Sequence, residues 1–126
     1  MSEKTWTTKE IQNFAKADDF QVSPFYADGI TYGTPTWIWS VVTNGKLFIR
    51  AWNGQNSSWY NSAIKQKAGR VFLDGLNHEV IFKKLNDNEV NTLVDQEYEK
   101  KYQGSAYLPP MVQAGPKSST IEVIPR

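Results

Sequence analysis

Residues 36–52 read TWIWSVVTNGKLFIRAW, two strand-like runs joined by Asn44 and Gly45. An Asn-Gly pair between such runs is the strongest short-range signal for a β-hairpin, because both residues tolerate the positive φ angles of a type I′ turn. The sequence therefore predicts a hairpin with strands over residues 36–42 and 46–52.

The hairpin has two chemically different faces, because successive side chains of a strand point to opposite sides. One face is small and aliphatic and suits the inside of a barrel: Ile38, Ser40, Val42, Leu47, Ile49 and Ala51. The other, called here the Trp/Arg face, consists of Trp37, Trp39, Val41, Phe48, Arg50 and Trp52. The register places Trp37 opposite Trp52 and Trp39 opposite Arg50. Three indole rings around a guanidinium predict a seat for a flat, anionic ligand, or a surface packed beneath a helix or another subunit.

Composition restricts the possible functions. The chain has 126 residues, enough for a single domain over residues 1–126 with its own core. It has no cysteine, which excludes disulfides, thiolate nucleophiles and cysteine-ligated metals. A formal net charge of +1 argues against nucleic acid as a partner. No signal peptide or membrane-length apolar segment is visible, so we expect a cytoplasmic protein without membrane contact.

The order of elements along the chain predicts the fold class. A capping box at Thr7 and Glu10 begins a first helix, and helical spacing of apolar residues predicts another over residues 88–102. A second hairpin is expected over residues 70–82, and residues 105–118 form a predicted loop. About six strands with three helices, connected by hairpins, predict a mostly β protein, a six-stranded antiparallel barrel with flanking helices.

A second candidate feature follows the hairpin, where the chain leaves a strand and enters a helix through a polar, glycine-containing loop. Helix N-termini bind anions through free N–H groups, and the hydroxyls of Ser57 and Ser58 add donors. Arg50 and Arg70 offer bidentate charge to a phosphate. The set predicts a site for a phosphorylated ring compound. The alternative is that Ser57 and Ser58 only cap the helix.

Other polar residues give weaker signals. His78 is the only histidine, and a lone histidine more often packs than reacts. No acidic residues have the spacing of a metal loop, so no metal site is predicted. Lys101 lies between two tyrosines, in a position where it could bind an anion. The sequence identifies no catalytic residue.

Several short motifs together resemble one bacterial family. They are Asp28-Gly29, the run from Thr34 to Trp39, the run from Arg50 to Gly54, Ser58-Trp59-Tyr60, the run from Tyr98 to Tyr102, and Ile124-Pro125-Arg126. Their order and spacing resemble the DUF2255 family, whose function is unassigned, over nearly the whole chain. That family is similar, more distantly, to deazaflavin-dependent nitroreductases and to FMN-binding split barrels.

The resemblance implies a six-stranded split barrel with FMN or a deazaflavin along its central strands. It carries over Arg50, Ser57, Ser58 and Trp59 as cofactor-binding candidates, with Arg70 beside them. The residues of the Trp/Arg face, Trp37, Trp39 and Trp52, would line the cleft. Residues 32–35 lack the basic phosphate motif of the deazaflavin group, which leaves FMN, another small ligand or no cofactor.

Two functions follow from these expectations. The first is a flavin-type binding barrel, a reductase in which the protein positions the ring and the cofactor carries the hydride. The second is a non-enzymatic ligand-binding or interaction module whose Trp/Arg face lies in a homodimer interface, since aromatic residues and arginine are enriched there.

Overall fold

A computed structural model describes residues 5–126 and shows one antiparallel sheet curled into a half-barrel with flanking helices. The strands are β1 Gln21–Pro24, β2 Thr36–Trp37, β3 Ser40–Thr43, β4 Lys46–Ile49, β5 Ala68–Leu73, β6 Leu76–Lys84 and β7 Ile121–Pro125. The helices are α1 Thr8–Lys16, α2 Ser58–Gln66, α3 Asn88–Lys101, α4 Leu108–Met111 and α5 Ala114–Lys117. Strand order across the sheet is β2-β1-β5-β6-β7-β4-β3.

The sheet has seven strands in the described residues, so the prediction of six was wrong. The predicted strand over residues 36–42 is broken at Ile38 and Trp39 into β2, which pairs with β1, and β3, which pairs with β4. The same break corrects the register, because Trp37 pairs with Gln21 and not with Trp52. β2 and β3 are the two edges of the sheet, and only two residues connect them. This short connection holds the edges close together and explains why the sheet curls.

The central hairpin is confirmed around its turn. Thr43 pairs with Lys46, and the pairing continues to Ser40 with Ile49. Asn44 and Gly45 have φ angles of 55° and 71°, as a type I′ turn requires. A second hairpin joins β5 to β6 through a two-residue turn with positive φ at both positions. Its strands are longer and its turn is shorter than the sequence predicted.

Two hydrophobic clusters flank the sheet. The first fills the inside of the half-barrel, where Leu47, Ile49 and Ala51 are fully buried, as predicted for the aliphatic face. The second lies on the other side, where Val41 and Phe48 pack against buried residues of α3 and α4. The Trp/Arg face is therefore covered by α3 at one end and open at the other.

The helices begin as the sequence indicates. Both hydrogen bonds of the capping box between Thr7 and Glu10 are present at the start of α1. The Asp87 carboxylate caps α3 by accepting from the Val90 N–H. The predicted loop over residues 105–118 contains α4 and α5, two four-residue helices. In residues 5–126 no helix has the length and apolar character needed to cross a bilayer.

Candidate functional site

A cleft of about 180 Å³ opens beside the bend between β2 and β3. Its walls are mostly aromatic, and we call it the tryptophan cleft; it is lined by Trp37, Ile38, Trp39, Arg50, Trp52, Tyr107 and Met111. The four residues predicted for the Trp/Arg face of the hairpin, Trp37, Trp39, Arg50 and Trp52, all line it. Trp37 and Trp39 come from the break between β2 and β3, and Arg50 and Trp52 come from the chain just after β4.

The aromatic rings of the cleft are unusually accessible. Trp37 is 67% exposed, Tyr107 65% and Trp52 47%. The Trp52 and Tyr107 rings meet edge to face, with centroids 5.7 Å apart. The Trp39 ring stacks on that of Tyr102, the C-cap residue of α3, with centroids 3.9 Å apart. The cleft therefore combines the exposed rings of Trp37, Trp52 and Tyr107 with the indole of Trp39, which is held in place by its stacking on Tyr102.

Arg50 forms the closed end of the cleft, and its side chain is fully buried. Its Nε donates to the Thr120 hydroxyl. Its Nη1 donates to the Asp95 carboxylate at 2.6 Å and to the Met111 carbonyl. Its Nη2 donates to the backbone carbonyl and to the side-chain oxygen of Asn91. A guanidinium has five N–H groups, and these five contacts use them all. Arg50 therefore contributes charge to the cleft but has no N–H left for a phosphate.

Asp95 links Arg50 to the segment that forms the outer wall. One carboxylate oxygen accepts from Arg50 and the other from Lys117 Nζ of α5 at 2.8 Å. Gly54 lets the same segment pack closely, since a Cβ at position 54 would lie 2.8 Å from the Gly115 carbonyl oxygen. Burying charges is costly unless they are paired and hydrogen-bonded, and here each is. The wall that carries Tyr107 and Met111 is thereby fixed against the barrel.

The remaining predicted binding residues lie elsewhere. Ser58 and Trp59 line a different cleft of about 210 Å³, with hydroxyl-bearing residues of the loop before β2. Ser57 is buried as the N-cap of α2, and its side chain makes no capping hydrogen bond. The Arg70 guanidinium lies 4.1 Å from the centroid of the Tyr32 ring. The structure thus brings four of the eight candidates together and places the other four outside the tryptophan cleft.

The Nζ of Lys101 lies 5.4 Å from the centroid of the Tyr102 ring. Its Nζ donates to the carbonyls of Ser40 at 2.7 Å and Phe14 at 3.4 Å. Burial lowers its pKa to about 8, although Asp18 and Asp19 oppose the shift. Burial also raises the pKa of the Tyr102 hydroxyl well above its usual value. Lys101 thus ties α3 to α1 and β3 and does not line the tryptophan cleft.

His78 packs against aromatic rings. Its ring meets those of Trp6 and Phe14 nearly edge to face, with centroids 5.4 and 5.6 Å apart. Its Nε2 is buried and has no hydrogen-bond partner among the described residues. Residues 5–126 contain no group of three or more histidine and acidic side chains that could hold a metal.

Sequence reasoning missed the residues that complete the cleft. Tyr107 and Met111 lie in a stretch predicted to be loop, and nothing in the local pattern marks them. The Arg50 partners Asn91 and Asp95 did carry a signal, because they are one helical turn apart beside the apolar stripe of α3. A carboxylate and an amide on a buried helix face predict a buried cationic donor as their partner.

Comparison with known proteins gives one result. The family model DUF2255, described as an uncharacterized protein conserved in bacteria, matches residues 10–123. A search of curated proteins and a search of solved structures find no match. The more distant likeness to deazaflavin-dependent nitroreductases and FMN-binding split barrels therefore stays a prediction.

Proposed function

The chain belongs to the DUF2255 family, whose members are uncharacterized, and on this premise we propose that it is a small-ligand-binding protein. The ligand is a planar aromatic ring, and it lies in the tryptophan cleft. The observation that carries this proposal is the convergence of exposed Trp37, Trp52 and Tyr107 with the stacked Trp39 on one concave surface.

Exposed aromatic rings are costly to leave in water, and a ligand that covers them removes that cost. Indole and phenol rings have large apolar faces, and stacking with another ring adds about 0.5–1.5 kcal/mol beyond the burial of area. A flat ligand covers several of these faces at once. Because Trp39 is already fixed by Tyr102, little conformational freedom is lost when a ligand binds against it.

Size restricts the part of the ligand that enters. The cleft holds about 180 Å³, less than the roughly 300–1,000 Å³ of sites that enclose a drug-sized molecule. A ring system inserted edge first fits this volume, and a ribityl or phosphate tail would extend outside. More specifically, we propose a flavin or deazaflavin ring as this ligand.

The residues present fit the ring of a flavin but not its phosphate. Arg50 has no free N–H, Ser57 is buried at the start of α2, Ser58 lines another cleft, and Arg70 lies over Tyr32. These predicted phosphate ligands do not converge on one point. We therefore derive no reductase step, and ring binding is the function to test before any redox activity.

The test is a titration of the purified protein with riboflavin, FMN and a deazaflavin, followed by tryptophan fluorescence. We expect saturable quenching, with FMN bound no more than about threefold more tightly than riboflavin. The N–H groups of Arg50 are all used and Ser58 and Arg70 lie outside the cleft, which leaves at most about one weak hydrogen bond for the phosphate. A loss of saturable quenching with all three would contradict the flavin form of the proposal. Strong dependence on the phosphate would show that the donors of another surface take part.

A second candidate is the homodimer, and the same exposed rings favour it. Trp37 on the edge strand β2 is accessible, and edge strands with apolar side chains pair readily with other chains. Sedimentation of the protein and of Trp37→Glu tests this candidate. A dimer that dissociates in Trp37→Glu, and remains in Ile30→Glu, which changes another exposed apolar residue in the loop before β2, supports an interface. A monomer at all concentrations contradicts it.

A further inference from the structure

We infer that the tryptophan cleft prefers aromatic rings that carry a negative charge over cationic rings of the same size. The inference rests on the proposed function, because it names the class of ring that the same cleft takes. It concerns charge on or beside the ring, and not a phosphate held by hydrogen bonds.

The charges at the closed end of the cleft do not cancel. Arg50 and Lys117 are both positive, and both bind the single carboxylate of Asp95, at 2.6 and 2.8 Å. The other hydrogen-bond partners of Arg50 are neutral: the Thr120 hydroxyl, the Met111 carbonyl and the Asn91 amide. This group of three ionised side chains therefore keeps one positive charge. Arg50 is also the only charged side chain among the described residues that line the cleft.

Burial allows this charge to act on a ligand. The Arg50 side chain is fully buried and Asp95 is 16% exposed, so water screens them poorly. The π faces of the aromatic walls attract cations by about 0.5–1 kcal/mol each, so a preference for anions requires that the field of the full positive charge exceed this attraction. Since Arg50 has no solvent-accessible surface, its charge acts on a ligand across the neighbouring side chains and not by direct contact.

The hydrogen bonds of Arg50 determine the kind of anion. Since its five N–H groups are used, it cannot form the bidentate contact that a phosphate or carboxylate oxygen prefers. What remains is the field of the cation, which acts equally well on charge spread over a ring. The cleft therefore favours a phenolate, an enolised heterocycle or an aromatic carboxylate whose ring lies between the tryptophans.

Three matched ligands test the inference: naphthol, naphthoate and naphthylmethylammonium, which are neutral, anionic and cationic near neutral pH. We expect calorimetry to show naphthoate bound at least about fivefold more tightly than naphthylmethylammonium, with most of the ratio kept when salt is raised, because the charge is buried. Equal affinities for the two ions would overturn the inference and leave ring binding intact. Failure of all three ligands, naphthol included, to bind would overturn ring binding itself.

Lys117→Met tests whether the excess positive charge causes the preference for anionic rings. It removes one positive charge, leaves the Arg50–Asp95 pair in place, and affects a side chain that is 36% exposed, so the variant is expected to fold. The ratio of naphthoate affinity to naphthylmethylammonium affinity should fall to about twofold or less, and this ratio is unaffected if the variant loosens the wall and weakens all three ligands alike. Lys65→Met on α2 makes the same change of charge outside the cleft and should keep the preference. A preference that survives in Lys117→Met would overturn the assignment to this charge.

Discussion

The Tyr102 ring lies parallel to the Trp39 ring, with centroids 3.9 Å apart and planes 4° apart. This stack connects the end of α3 to the bend between β2 and β3. It covers one face of the indole and leaves the rest of Trp39 to the tryptophan cleft. The contact that closes the curled sheet against α3 therefore also orients a wall of the candidate site.

Replacing Trp52 tests the cleft directly. Trp52→Ala removes an exposed ring, so the fold should be kept while ring affinity falls about two- to tenfold, as expected for one lost stacking contact. Trp59→Ala in the neighbouring cleft is the matched control and should leave ring affinity unchanged. Fluorescence titration with riboflavin measures both. A larger loss in Trp59→Ala would move the site to the start of α2.

The buried position of Arg50 predicts a large cost for its removal. Arg50→Met leaves the acceptors of Asp95, Asn91 and Thr120 without their donor, and we expect the free energy of unfolding to fall by about 3–5 kcal/mol. Arg70→Met, which removes a guanidinium stacked on Tyr32, should cost about 1 kcal/mol or less. Urea denaturation followed by circular dichroism gives both values. Equal costs would show that the Arg50 network contributes little.

Gly54 predicts a difference between two glycine substitutions. Gly54→Ala introduces a Cβ 2.8 Å from the Gly115 carbonyl oxygen at a position with φ of 60°. Gly75→Ala has the same kind of φ, 76°, but no atom within 4 Å, so it carries only the backbone cost of about 1–2 kcal/mol. We expect Gly54→Ala to reduce the free energy of unfolding by at least about 1 kcal/mol more, through the contact with Gly115. If thermal or urea unfolding gave equal losses of unfolding free energy for the two variants, the segment carrying α5 would have to shift away from position 54 at no cost.

Lys101 predicts a pH dependence of stability. Burial lowers its pKa to about 8, whereas a lysine in an unfolded chain titrates near 10.4. Between these values the unfolded state binds more protons, so the free energy of unfolding should rise with pH from about 8 toward 10. Below pH 8 the amine is charged in both states, and the cost of burying it is fully present. Above about pH 10 the trend reverses, because burial raises the pKa of Tyr98 and Tyr102 and only the unfolded tyrosines ionise there.

Two variants separate the contribution of Lys101 from that of other groups. Lys101→Met should abolish the rise in the free energy of unfolding between pH 8 and 10, in urea titrations at several pH values. Lys100→Met, which removes the neighbouring exposed lysine, should keep it. If Lys101→Met retained the rise seen in the unchanged protein, another group would be responsible.

Local chemistry made part of the fold predictable. Asn44 and Gly45 determined the turn and the register beside it, and Thr7 with Glu10 marked the first helix, because each signal needs only neighbours in the chain. The bend at Ile38 and Trp39 carried no such signal. It is imposed by pairing to β1 on one side and β4 on the other, which are contacts between distant parts of the chain.

The candidate site was predictable in its aromatic part only. Alternation along the hairpin identified the face that carries Trp39 and Arg50, and both line the cleft. It could not show that Arg50 is buried, because the partners that use its donors are 41 to 70 residues away in the chain. A guanidinium predicted to bind a ligand is instead held by Asp95.

The most direct test of ring binding is a titration of isotope-labelled protein with lumichrome, the flavin ring without its side chain, followed by NMR of the indole N–H groups. We expect saturable shifts of Trp37, Trp39 and Trp52. Trp6, whose Nε1 donates to the Val123 carbonyl, and Trp59 should remain unchanged. Shifts confined to Trp59, or no shift of the three cleft residues, would contradict the account.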